Sequence, residues 1–232
     1  VNGIFITGTD TDVGKTLITG LLAHALSDLG QNVVTQKWVQ TGCRTFNDTD
    51  ISKHLSLMKR DIETIKPFMQ DIIPYCFKFP ASPHLAARRE NKRIDLKKIE
   101  NTYHNLGNHF DLILAEGAGG LMVPITPKTL FIDLVKKMKL PVVLVVHNKL
   151  GAVNQALLNI EAIRRRDLKL LGLIFNNAEK QNAEILNENV RIIASLSHEK
   201  LLGVVPHSQN KNLLHRAMKP IAKKVLNRIN HE

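Results

Sequence analysis

The chain is short of sulfur and of aromatic rings, and each shortage narrows what it can be. Cys43 and Cys76 are the only cysteines in 232 residues, and no charged-then-apolar leader opens the sequence, so a reducing cytoplasm is the expected compartment. No apolar run reaches membrane-spanning length, which argues against a membrane partner. Aromatic residues make up 5% of the chain and do not interleave with the basic clusters at Arg88-Arg89, Lys92-Arg93, Lys136-Lys137 and Arg164-Arg165-Arg166. Without stacking platforms or a reading helix, the formal charge of +11 points to solvated helix faces and a general attraction for anions, and nucleic acid is not expected. Internal repeats, linkers and low-complexity stretches are also missing, so residues 1–232 read as a single domain. With 44% hydrophobic residues, a chain of this length buries roughly 70% or more of its unfolded surface.

What is present is organised around Gly8-Thr9-Asp10-Thr11-Asp12-Val13-Gly14-Lys15-Thr16, which follows the β-like run Gly3-Ile4-Phe5-Ile6-Thr7 and leads into a helical pattern from Leu17 to Leu29. This is the context of a phosphate-binding loop. Backbone N–H groups turn inward around phosphate oxygens, the helix N-terminus adds partial positive charge, Lys15 reaches the outer phosphates, and Thr16 offers a hydroxyl to Mg²⁺. The usual pattern places its first glycine one position later than Gly8, where Thr9 stands.

Further along, Asn32 to Trp38 reads as a strand ending in Lys37, whose ammonium would face the same crevice. The loop Val39-Gln40-Thr41-Gly42 follows at a ligand-holding strand end. Asn47 to Asp50 reads as the cap of a helix over Ile51 to Leu57, and Asp61 to Asn91 as a proline-broken excursion over the sheet, with Ser82-Pro83-His84 opening a helix. Asp95 to His109 is an amphipathic helix. The run Asp111 to Glu116 then repeats the strand-to-glycine-loop design, placing Glu116 before Gly117-Ala118-Gly119-Gly120, where an acid can serve Mg²⁺. A helix over Thr129 to Met138, a strand over Pro141 to Val146 and a helix over Gly151 to Arg166 come next. A strand over Lys169 to Phe175 ends at Asn176-Asn177, whose amides suit either a purine edge or their own turn. A strand over Leu201 to Val205 stops at Pro206-His207-Ser208, and a basic helix over Leu213 to Ile229 closes the pattern. The expected fold is a P-loop NTPase-like parallel sheet with helices on both faces.

These residues together resemble the dethiobiotin synthetases, nearly end to end. The resemblance rests on the phosphate loop with its displaced glycine, Lys37 with Thr41-Gly42, Ser82-Pro83-His84, Glu116 to Gly120, Lys149-Leu150-Gly151, Asn176 and Pro206. It implies that 7,8-diaminopelargonate and CO₂ form a carbamate, that ATP phosphorylates it, and that the second amine closes the ureido ring. By the same resemblance Lys37, Lys15 and Thr11 would be catalytic, and Asp12, Val13, Gly14, Lys15, Thr16 and Leu17 would cradle the phosphates. Thr16, Asp50 and Glu116 would meet Mg²⁺, with Gly117, Ala118 and Gly119 beside the nucleotide. Asn176, with Asn177, Pro206, His207 and Ser208, would take adenine. Thr41 would touch the diamine, and Gly151, Ala152, Val153 and Asn154 would take its carboxylate from a neighbouring subunit, implying a homodimer. Trp38 stands where the family usually has proline, and Asn177 replaces a frequent aspartate.

Two rivals share the loop. Amide-forming synthases usually carry a glutamine-hydrolysing domain, for which this chain has no room, and partitioning ATPases carry a further lysine at the position held here by Asp10.

Overall fold

A computed structural model describes residues 2–230; Val1, His231 and Glu232, the ends of the expected 1–232 domain, lie outside the described residues. The first half of the chain forms β1 (Asn2–Gly8), α1 (Lys15–Ser27), β2 (Val33–Lys37), β3 (Gln40–Thr41), α2 (Asp50–Met58), α3 (Met69–Ile72), β4 (Cys76–Phe77), α4 (Pro83–Arg89) and α5 (Leu96–Gly107). It continues with β5 (Leu112–Glu116), β6 (Pro124–Thr126), β7 (Thr129–Leu130), α6 (Phe131–Lys137), β8 (Val142–His147), α7 (Ala152–Arg165), β9 (Leu170–Asn176), α8 (Ala183–Ser197), β10 (Leu201–Val205) and α9 (Lys211–Asn230).

Six strands make one parallel sheet in the order β10-β9-β8-β1-β5-β2. Alternation along β1 explains why both faces are covered: Ile4 and Ile6 enter a core beneath α1 and α9, whereas Phe5 enters the opposite core with Trp38, Phe131 and Ile160. Val142 to Val146 have no exposed surface at all, and burial of each such side chain contributes about 1.5–3 kcal/mol. Because β1 sits between β5 and β8, the strand order reverses beside it, and the phosphate loop leaves the sheet at that switch point.

The expected sheet and its helices are present, with three differences. Thr129 and Leu130 are not helical; they pair with β6 as a short antiparallel strand before α6 starts at Phe131. Helix α8 is not among the expected elements, although Leu186, Val190 and Ile193 recur at helical spacing; Val190 and Ile193 pack on the core, with Asn189 and Ser197 also buried. Finally, Cys43 and Cys76, 33 residues apart, are joined in a disulfide, a pairing that a reducing compartment did not suggest. Parallel pairing of β3 with β4 brings them together, with the Gln40 amide donating to the Tyr75 carbonyl and the Cys43 amide to that of Phe77.

Candidate active site

The phosphate loop is held by close packing that the displaced glycine makes possible. A Cβ on Gly8 would lie 2.3 Å from Val13 Cγ2 and 3.1 Å from Lys15 Cγ, so the loop folds onto Gly8 and tolerates Thr9 at the usual glycine position. Gly14 is left-handed, at φ +95°, and the Asn176 amide nitrogen fills the space its missing side chain leaves, only 2.1 Å from where a Cβ would stand. Lys15 opens α1 and curls back to donate from Nζ to the Asp10 carbonyl at 2.8 Å.

Strand register assembles the charged centre. Lys37 pairs with Glu116 across β2 and β5, so the lysine and the acid end neighbouring strands on the same side. Lys37 Nζ is 2.7 Å from Glu116 Oε1, 2.7 Å from Asp50 Oδ2 and 2.7 Å from the Gly117 carbonyl. Asp50 comes from the first turn of α2, which Thr49 caps by accepting the Ser52 amide, and Gln40 Oε1 accepts the Asp50 amide at 2.9 Å. The Glu116 carboxylate is divided between two tasks. Its Oε2 accepts from Thr19 at 2.8 Å and from His54 at 3.2 Å, while Oε1 faces Lys37 and the Thr16 hydroxyl, the latter at 3.3 Å.

Burial and charge act on these groups in opposite directions. Burial alone raises a carboxyl, but Lys37 and His54 outweigh it and hold Glu116 well below the usual carboxylate range. Burial lowers a lysine, yet Glu116 and Asp50 together raise Lys37 above its ordinary value. Lys15 lacks such close partners, and burial followed by the Lys37 cation pushes it down to about 8.

Around this centre lies a crevice of about 390 Å³, lined by Thr11, Asp12, Gly14, Lys15, Thr16, Lys37, Gln40, Thr41, Asp50, Glu116, Ala118 and Gly119 among others. Most of the expected phosphate, metal and catalytic positions therefore converge. The donors Thr16, Asp50 and Glu116 are all oxygens, which fits a hard divalent cation. Among the described residues no group of three or more His, Cys, Asp or Glu side chains could hold a metal, so an ion bound here would need hydroxyl, phosphate or water oxygens besides the two carboxylates.

Other expected residues stand elsewhere. Asn176, Asn177 and the Pro206 to Ser208 segment lie at the carboxyl ends of β9 and β10, tied together by the Asn177 amide on the Val205 carbonyl at 3.0 Å. Asn176 reaches the phosphate loop through Nδ2 on the Val13 carbonyl at 3.0 Å. Gly151, left-handed at φ +88°, opens α7 with Ala152 buried and Asn154 exposed, and none of Gly151 to Asn154 lines the crevice of this chain. His84 does not line it either, and its ring meets the Ser82 hydroxyl at 3.1 Å. Three contributors went unforeseen. Thr19 and His54 each follow a site residue, Lys15 and Asp50, by one helical turn, a spacing that was available as a signal. Asn159 of α7, which donates to the Thr9 carbonyl at 3.3 Å, had none.

Comparison with known proteins agrees with this geometry. Residues 2–212 match a family described as an AAA domain. An ATP-dependent dethiobiotin synthetase of Haemophilus influenzae is 42% identical over 75% of this chain and 90% of its own length. That of Chlorobaculum tepidum is 38% identical over 87% and 83%. Among solved structures, the MinD cell division protein of Aquifex aeolicus covers 98% of both chains at a TM-score of 0.59 and 18% identity. A ParA bound to nonspecific DNA reaches 0.61 at 13% identity, covering 100% of this chain and 99% of its own. Identities this low establish the fold alone.

Proposed function

Because the chain belongs to the ATP-dependent dethiobiotin synthetase family, we infer that it closes the ureido ring of dethiobiotin from 7,8-diaminopelargonate and CO₂ as a single domain spanning residues 1–232. One amine adds to CO₂ to give a carbamate, whose oxygen attacks the γ-phosphorus of ATP and expels ADP. The second amine then attacks the carbonyl carbon, and phosphate leaves.

The observation that carries this reading is Lys37: a buried, fully charged ammonium at the crevice wall, held by two carboxylates and a carbonyl. An ammonium fixed in this way stabilises charge developing on the carbamate and the transferring phosphoryl group without reorganising. Lys15 and the loop amides from Asp12 to Leu17 hold the phosphates, and the hydroxyls of Thr11 and Thr41 face the acceptor. Thr16, Asp50 and Glu116 would hold Mg²⁺, which when bound supplies neutralising charge to the β- and γ-phosphates. Gly117, Ala118 and Gly119 let the backbone approach the nucleotide, and Asn176, Asn177 and Pro206 to Ser208 meet adenine. Holding amine and mixed anhydride together contributes up to ~7–11 kcal/mol to ring closure. Gly151 to Asn154, which do not line their own crevice, bind the diamine carboxylate in a partner's site within a homodimer. The proposed place of action is the cytoplasm; among the described residues no helix is long and apolar enough to cross a membrane.

Incubation with ATP, MgCl₂, bicarbonate and 7,8-diaminopelargonate, followed by mass spectrometry, tests the assignment. Dethiobiotin is expected, and its absence above a Lys15→Ala control refutes the reading.

A further inference from the structure

The amides of Asn176 and Asn177 can each present oxygen or nitrogen to a ligand, and their surroundings decide which. Backbone carbonyls only accept hydrogen bonds, so an amide that faces one must turn its NH₂ toward it. Asn176 faces the Val13 carbonyl through Nδ2 at 3.0 Å, which leaves its oxygen for other partners.

Asn177 is set by a longer chain of contacts. Asn189 of α8 donates from Nδ2 to the Lys149 carbonyl at 2.9 Å and to Asn148 Oδ1 at 3.0 Å. Asn148 therefore keeps its own nitrogen on the other side, where it donates to the Leu186 carbonyl at 3.1 Å and to Asn177 Oδ1 at 2.9 Å. Both Asn148 and Asn189 are buried, at 1% and 7% exposure, so water does not compete for these bonds. The Asn148 amide also donates to the Asn176 carbonyl at 2.9 Å, fixing the two strand ends together. Every link is anchored on a carbonyl that cannot reverse its role, and Asn177 is left with its nitrogen unspent.

We propose that Asn148, held by Asn189, is a specificity-determining positioning residue: by fixing Asn177 with its nitrogen outward, it makes this loop select a 6-aminopurine nucleotide over a 6-oxopurine one. The proposal rests on the reading that Asn176 and Asn177 meet the nucleobase. In the proposed pose the Asn176 oxygen faces the 6-position of the purine and the Asn177 nitrogen faces N1, so adenine, whose N6 donates and N1 accepts, is matched, whereas guanine, whose O6 accepts and N1–H donates, is opposed at both positions. Once released, Asn177 turns either way, and its oxygen accepts from guanine N1–H as readily as its nitrogen donates to adenine N1.

Calorimetric titration of the full chain with ADP and with GDP, in wild type, Asn148→Leu and Asn189→Leu, tests this without depending on turnover. Wild type is expected to bind ADP more tightly. In Asn148→Leu the ADP-to-GDP preference falls by roughly fivefold or more, the worth of one directed hydrogen bond, while affinity for inorganic tripolyphosphate stays unchanged. Asn189→Leu shifts the preference in the same direction, and it decides the matter if Asn148→Leu does not fold. An unchanged preference in a folded variant overturns the proposal, as does an equal loss of affinity for ADP, GDP and tripolyphosphate, which marks a merely structural role. A wild-type protein that binds ADP and GDP alike instead removes the nucleobase reading, and the proposal falls with it.

Discussion

At the scale of single residues, the site depends on how its two lysines are partnered. Lys37 is clasped by Glu116 and Asp50, and replacing it with glutamine keeps a donor but removes the charge. Lys37→Gln is expected to lower kcat by about 10²-fold or more with little change in ATP affinity, measured by steady-state assay beside calorimetry. Lys15 behaves differently, because its folded pKa is about 8 against an ordinary 10.5. Below about 8 it is cationic and attracts phosphate; above that, the nucleotide-free protein has lost the proton and must recover one to bind. ATP affinity should therefore fall as pH rises through 8, with proton uptake visible in buffers of different ionisation heat. The same shift means that charged Lys15 costs the folded state stability below about 8, and that cost is relieved as pH rises from about 8 to 10.5, where the unfolded chain binds the proton better. Lys15 was legible from the phosphate-loop motif, whereas Lys37 was read only from its place at the end of an apolar strand, where a surface lysine also fits. The Glu116 partners Thr19 and His54 were not read, although each lies one helical turn after a site residue, because that spacing alone also fits many residues with no part in a site.

At the scale of elements, α2 shows how a short helix delivers function. Thr49 caps it, Asp50 projects from its first turn toward Lys37, and His54 lies one turn later against Glu116. Thr49→Ala is expected to cost about 1 kcal/mol, read as a lower denaturant midpoint at constant m-value, and to weaken Mg²⁺·ADP more than ADP alone. Strands were readable as continuous apolar runs, as in Val142 to Val146, and most helices by their apolar period, as along α1. Helix α8 went unread although Leu186, Val190 and Ile193 keep a helical period, because the polar Asn177 to Asn182 stretch before it reads as loop and Asn187, Asn189 and Ser197 dilute the stripe. The short β7 was missed for a related reason: Thr129 and Leu130 share the composition of the helix they precede, and only pairing with Pro124 to Thr126 makes them extended.

At the scale of the whole molecule, the phosphate loop and the α7 start are separate features of one chain, and the proposed assembly joins them across two. Asn154→Ala should raise KM for the diamine by roughly tenfold while leaving that for ATP nearly unchanged, and sedimentation at assay concentration should give a dimer. A fully active monomer would rule the shared arrangement out. The paired cysteines carry a consequence of another kind. Their bond closes a ring from residue 43 to residue 76 that contains α2 and therefore Asp50. A single proteolytic cut inside that ring leaves both fragments tethered, so a nicked molecule should migrate as one band on a denaturing gel and separate into two only after dithiothreitol is added.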